Sequence, residues 1–186
     1  MSKFAKLLLG AFFILVIFLC NAESADIHKT GNWGFSIPLG PSYSYDDIGV
    51  KRVVDGDTLL LENGERVRLI GIDTPEMHES DKLYRDAKRT NQDAGAIKQL
   101  GRQSYEFTKK LIEGKRVKLE FDVENQDRYG RLLAYVYLKD GTFVNAEIIK
   151  QGYASLMSIP PNVKYADMFK KLYAEARENH RGLWGE

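Results

Sequence analysis

The chain has 186 residues, 44% of them hydrophobic and 28% charged, and a formal net charge of +1. That balance is ordinary for a soluble globular protein, with length enough for one domain, a buried core and some extra segments. It excludes binding of polyanions through overall basicity, so any contact with nucleic acid has to be local.

The N-terminus stands apart. Lys3 and Lys6 precede the apolar run LLLGAFFILVIFL (residues 7–19), and no acidic residue comes before Glu23. The run is short of the roughly 20 residues that a membrane span needs. A basic start, a short apolar stretch and the exit CNA predict a secretory signal cleaved after Ala22, hence a secreted or periplasmic protein. Losing Lys3 and Lys6 with residues 1–22 takes the net charge from +1 to −1. The single cysteine, Cys20, lies in that segment, so the mature chain is expected to hold no disulfide. Lipid attachment at Cys20 is a second reading, opposed by the bulky Phe18 and Leu19. Residues 23–48 mix Gly, Pro, Ser and aromatics without a period and read as an N-terminal extension.

From Gly49 the pattern sharpens. GVKRVV and DTLLLE flank Asp-Gly and predict paired strands. Asn63-Gly64 is a hairpin signal, and ERVRLIGID makes a third strand of a meander. DTPE ends it, because Pro75 cannot donate to a ladder. Residues 77–96 are polar, carry both charge signs and read as a solvated loop. AIKQLGRQSYEFTKKLI has apolar residues at roughly helical spacing, with Gly114 suited to follow its end. KRVKLEFD and LLAYVYL are the fourth and fifth strands, NAEIIKQGYA a short helix. KYADMFKKLYAEARENHRGLW is a long amphipathic helix with Tyr165, Met168, Phe169, Leu172 and Ala176 on one face and Gly182 at its end. Five strands with a helix between the third and fourth predict a five-stranded OB-fold barrel with three helices.

The stretch VVDGDTLLL poses a chemical question, since Asp and Gly are poor strand formers. Turn chemistry alone would explain it. Yet Asp57 follows the first strand, while Asp73 and Glu76 follow the third. Closing the barrel would bring these carboxylates together near the oxygens of Thr58 and Thr74. Hard oxygens of this kind suit calcium or magnesium. Arg68 and Arg131 sit in strands three and five, and a guanidinium matches phosphate bidentately. Carboxylates, a metal and arginines are what phosphodiester cleavage requires. Arg68 and Asp73 have opposite parity in a regular strand, so the strand has to break between them, with Gly71 the candidate.

VVDGDTLLL, RVRLIGIDTPE, DRYGRLLAYVY, IIKQGYA and GLW, in this order and spacing, resemble the staphylococcal nuclease family from about Gly49 to Trp184. The resemblance implies an OB-fold, calcium-dependent endonuclease that cuts DNA and RNA and leaves 3′-phosphates. It implies Asp57, Asp73 and the Thr74 carbonyl as calcium ligands. Glu76 would position or deprotonate water, and Arg68 and Arg131 would hold the scissile phosphate. Arg128 and Tyr129 match a pair that contacts the nucleotide's other phosphate, and Asp55 would support the metal indirectly. Where the type member carries tyrosines that stack on the base, this chain reads SLMSIPPN, with Tyr153 and Tyr165 as possible substitutes. The segment after Glu76 is longer than in the type member, and its Lys82, Arg85, Lys88 and Arg89 are candidates for guiding a polyanion. His78 is a minor candidate for touching substrate. The rival classes are a non-catalytic OB-fold module that binds single strands and a polysaccharide-binding barrel. A monomer is the default expectation.

Overall fold

The structure is a computed structural model that describes residues 44–91 and 93–185. The predicted signal, Cys20 and most of the 23–48 extension lie outside the described residues. Five strands close a barrel in the order β1 (Ile48–Asp55), β2 (Thr58–Leu61), β3 (Arg66–Leu69), β6 (Leu132–Leu138), β5 (Arg116–Glu120). All contacts are antiparallel except β3 with β6, which pair in parallel through Val67–Leu132, Arg68–Leu133 and Leu69–Ala134. The alternation read in the sequence fills the barrel: Val50, Leu59, Leu61, Val67, Leu69, Val117, Ala134 and Val136 are all buried. The closed five-stranded barrel is the predicted OB-fold architecture.

The predicted third strand is in fact two. Gly71 adopts φ +84°, the left-handed region that side chains disfavour, and a Cβ there would collide with the Phe169 ring. Beyond this kink, β4 (Gly71–Asp73) leaves the barrel and pairs with β7 (Ser155–Met157), a short strand within the SLMSIPPN stretch. The parity break expected at Gly71 is therefore real.

The described residues form four helices, one more than expected. The extra one, α1 (Asp81–Thr90), overturns the reading of residues 77–96 as a plain loop. Ser80 caps it by accepting from the Leu83 amide at 3.1 Å, Asp81 faces its positive end, and Lys88 and Arg89 face its negative end. Leu83, fully buried, anchors it. One apolar anchor in a charged sequence leaves no periodic signal. Helix α2 (Ala94–Ile112) turns Ile97, Gly101, Ser104, Thr108 and Ile112 inward. Its inner face is thus partly small and polar. Tyr105, Phe107 and Leu111 pack at the core's edge.

Helix α3 (Val144–Lys150) buries Asn145, which accepts from the Val136 amide at 3.0 Å and donates to the Ile70 carbonyl at 2.9 Å. One side chain thereby ties α3 to β6 and to the kink ahead of β4. Helix α4 (Ala166–Glu178) lays Phe169 and Ala176 into the core. It ends at Glu178, short of Gly182, which instead opens a 3-10 turn to Trp184.

Candidate active site

The D-G-D turn is built for closeness. A Cβ on Gly56 would stand 2.8 Å from the Thr74 hydroxyl oxygen and methyl, so only glycine lets the β1–β2 turn lie against Thr74. From the other side the Thr108 hydroxyl on α2 donates to the Gly56 carbonyl at 2.8 Å. Asp57 is 6% exposed, yet its oxygens are fully engaged. Oδ1 accepts from the Thr58 hydroxyl at 3.0 Å, and Oδ2 accepts from both the amide and the hydroxyl of Thr74 at 3.0 Å. Oδ2 also pairs with Arg68 Nη1. Burial alone would raise the Asp57 pKa. The Arg68 charge, the Thr74 amide and Lys82 outweigh it and hold the carboxyl below its usual range, so Asp57 is an anion. Its neighbour Asp55 is different. Burial, reinforced by the Asp57 charge, pushes its pKa up to about 6.

Arg68 points from β3 across the kink. Its Nη2 donates to Asp73 Oδ1 at 2.9 Å, so one guanidinium bridges the carboxylates that flank the barrel mouth. Lys82 of α1 makes the next bridge. Its ammonium lies 3.0 Å from Asp73 Oδ1, 2.9 Å from Glu76 Oε1 and 3.4 Å from the Thr74 carbonyl. Burial would lower the Lys82 pKa, but Asp73 and Glu76 raise it above the usual lysine value.

Glu76 owes its position to α2. A Cβ on Gly101 would lie 2.6 Å from the carbonyl oxygens of Pro75 and Glu76, so helix and loop backbone are in direct contact. Arg131, immediately before β6, is held by Asp127, which accepts from its Nε at 2.7 Å and its backbone amide at 3.0 Å. Tyr129 projects outward between two arginines, with the Arg128 and Arg131 guanidinium carbons 4.8 and 5.5 Å from its ring centre. Asp57, Arg68, Asp73, Glu76, Arg128, Tyr129 and Arg131 all line one groove of about 800 Å³. Thr74 lies beneath it, bonded to Asp57.

Other expectations fall away. Tyr153 stacks on Phe107 at 4.3 Å, and Tyr165 sits edge-on to Tyr135 at 4.7 Å with its hydroxyl donating to Glu120. Both are committed to packing, so neither replaces the missing stacking tyrosines. The groove wall there is Met157, Ile159 and Pro160. His78 lines a separate shallow pocket beside α2 with Lys98 and Arg102. Sequence reading missed Asp127 as the partner of Arg131, although Asp-x-x-x-Arg around a Tyr-Gly turn was the available signal. It placed Lys82 among the outward-facing loop cations, whereas the ammonium turns into the site. Arg89, by contrast, pairs with Asp86 at 3.0 Å on the helix surface.

The donor chemistry suits a hard cation. Among the described residues no three His, Cys, Asp or Glu side chains form a ready cage for a metal. Carboxylate oxygens of Asp57 and Asp73 and the Thr74 carbonyl nonetheless lie close together, linked through Arg68 and Lys82, and are oxygens of the kind a hard divalent cation takes. Asp73, Glu76 and the Thr74 carbonyl already share one cation, the Lys82 ammonium.

A sequence model of staphylococcal nuclease homologues matches residues 66–186. The thermonuclease of Staphylococcus intermedius is 39% identical over 138 residues, covering 73% of this chain and 74% of that protein. The thermonuclease of Staphylococcus hyicus is 32% identical over 138 residues, 73% of each chain. The SPbeta prophage-derived endonuclease YokF of Bacillus subtilis is 35% identical over 145 residues, 75% of this chain and 44% of that protein. Barrel topology, the groove of paired carboxylates and arginines, and these likenesses converge: the chain belongs to the staphylococcal nuclease family and is a phosphodiester-hydrolysing nuclease.

Proposed function

We propose that this nuclease is a calcium-dependent endonuclease that cuts DNA and RNA, single-stranded or denatured by preference, and leaves 3′-phosphate ends. The observation that carries this reading is the convergence of Asp57, Arg68, Asp73 and Glu76 from separate segments into one groove. In this reading Asp57, Asp73 and the Thr74 carbonyl hold the ion. Calcium would supply positive charge against the phosphate as negative charge builds on it. Glu76 accepts a proton from the attacking water, whose oxygen bonds to phosphorus as the bond to the 5′-oxygen breaks. Arg68 and Arg131 bind the phosphate and stabilise its five-coordinate transition state. Each is held at rest by a carboxylate, Arg131 by Asp127 and Arg68 by Asp57 and Asp73. Arg128 and Tyr129 contact a flanking phosphate. An open groove with apolar Met157 and Ile159 on one wall supports sequence-tolerant contact with unpaired strands. The basic, apolar start of the chain supports secretion or a periplasmic location, with the protein acting as a monomer.

The test is cleavage of denatured DNA and of RNA by the purified protein, with calcium or with chelator. We expect cleavage with calcium only, 3′-phosphate ends, and a loss of at least a hundredfold in Arg131→Ala with its fold retained. Binding of strands without cleavage under any divalent cation would return the protein to the non-catalytic module.

A further inference from the structure

Lys82 has no part in the proposed mechanism, yet its half-buried ammonium sits among the groups assigned to it. Helix α1 delivers it. The Ser80 cap and the buried Leu83 fix the first turn, and Lys82 lies between them in sequence, facing the groove. Its Nζ contacts Asp73 Oδ1, Glu76 Oε1 and the Thr74 carbonyl at 3.0, 2.9 and 3.4 Å. Two of these three oxygens belong to the proposed calcium ligands. A calcium ion needs its ligand oxygens at about 2.3–2.6 Å, and an ammonium resting on the same oxygens takes up that space and that charge.

We propose that Lys82 is a tethered counter-ion of the cation site, which pairs with Asp73 and Glu76 in the metal-free enzyme and is displaced when a divalent cation binds. Metal binding is then an exchange of one ammonium for one ion. Without Lys82, Asp55, Asp57, Asp73 and Glu76 would crowd around Arg68 alone in this part of the groove. With it, a second positive charge offsets part of that repulsion in the metal-free state, and only a cation of higher charge density repays the lost ion pairs. The released ammonium stays on α1 beside the groove. This inference rests on the calcium reading.

The experiment uses the full-length protein and the substitution Lys82→Met, which keeps most of the apolar stem and removes the charge. Arg85→Met is the control, since it removes an exposed charge from the same helix. Calcium binding is titrated calorimetrically, and Tm is recorded in chelator and in saturating calcium. We expect Lys82→Met to bind calcium about tenfold more tightly, an effect of the size of one lost competing ion pair. Its Tm should fall in chelator and match wild type in calcium, while Arg85→Met changes neither quantity. A calcium Kd within twofold of wild type, or an equal loss of Tm in both conditions, would show a merely structural lysine and overturn the proposal. An equal tightening in Arg85→Met would reduce the effect to bulk charge and overturn it as well. Failure of calcium to bind wild type and variant alike is a separate result and overturns the calcium reading itself.

Discussion

At the residue scale the two aspartates of the D-G-D turn are given different proton affinities by their surroundings. Asp57 and Asp55 flank one glycine, but amide, hydroxyl and guanidinium partners hold the first ionised, while burial and the Asp57 charge push the second up to about 6. The difference has a consequence for stability. The folded state holds the Asp55 proton more tightly than the unfolded chain, whose pKa is near the ordinary 3.8. Between these values the native protein binds more protons, so this group's contribution to stability falls as pH rises from about 4 to about 6 and is constant above. Asp55→Asn removes the effect. In chelator, the variant should gain on wild type across that window by on the order of 2 kcal/mol, read from urea midpoints at pH 4 and pH 7. A constant difference between the two proteins would place the Asp55 pKa near its ordinary value. The sequence showed which residues could meet here, because Asp57, Asp73 and Glu76 follow strands that a barrel must close. It did not show that Asp55 and Asp57 would titrate apart, since that depends on burial and on Arg68, Thr74 and Lys82, which only the fold brings to Asp57.

At the scale of elements, position is set by close packing between segments far apart in sequence. Gly101 on α2 touches the Pro75–Glu76 backbone, so the helix is the surface against which the loop carrying Glu76 is held. Gly101→Ala inserts a methyl where 2.6 Å is available, and helix and loop must separate by several tenths of an ångström. The expected result is a fall in kcat of about tenfold or more with little change in KM, because Glu76 moves while Arg68 on β3 and Arg131 just before β6, the proposed phosphate contacts, do not. Parallel losses in kcat and KM would instead indicate general loosening of the groove. Asn145 does similar work in the core, linking α3 to β6 and to the kink before β4. Asn145→Ala leaves the Val136 amide and the Ile70 carbonyl without this partner and should cost about 2–4 kcal/mol in chemical denaturation. The barrel strands were legible because alternation survives in them, and Gly71 was legible because Arg68 and Asp73 could face one pocket only through a break. Helix α1 was not. Its stability comes from a serine cap, charges matched to its dipole and a single buried leucine, none of which makes a periodic pattern. The inward turn of Lys82 was hidden with it.

For the molecule as a whole, the near-zero net charge means that attraction for a polyanion is concentrated in the groove rather than spread over the surface. Of the four arginines that line that groove, three are tied at rest to something a phosphate would replace or share: Arg68 to Asp57 and Asp73, Arg131 to Asp127, and Arg128 to the Tyr129 hydroxyl at 2.6 Å. Binding of a strand exchanges some of these contacts for phosphate contacts and releases the strand's condensed counterions. On a single strand each neutralised phosphate contributes about 0.7 to the slope of log affinity against log salt, so two to three contacts give a slope of roughly −1.4 to −2. Arg128 is the exposed member and is not held by a carboxylate, so Arg128→Ala should make the slope shallower by about 0.7 and leave the chemical step intact. The measurement is binding of a fluorescent oligonucleotide in chelator, where cleavage is silent, across a series of salt concentrations. A slope much steeper than −2 that survives Arg128→Ala would move the electrostatic footprint out of the groove and onto α1, whose Arg85 and Lys88 remain exposed. The longer segment after Glu76 would then be a second site of strand contact.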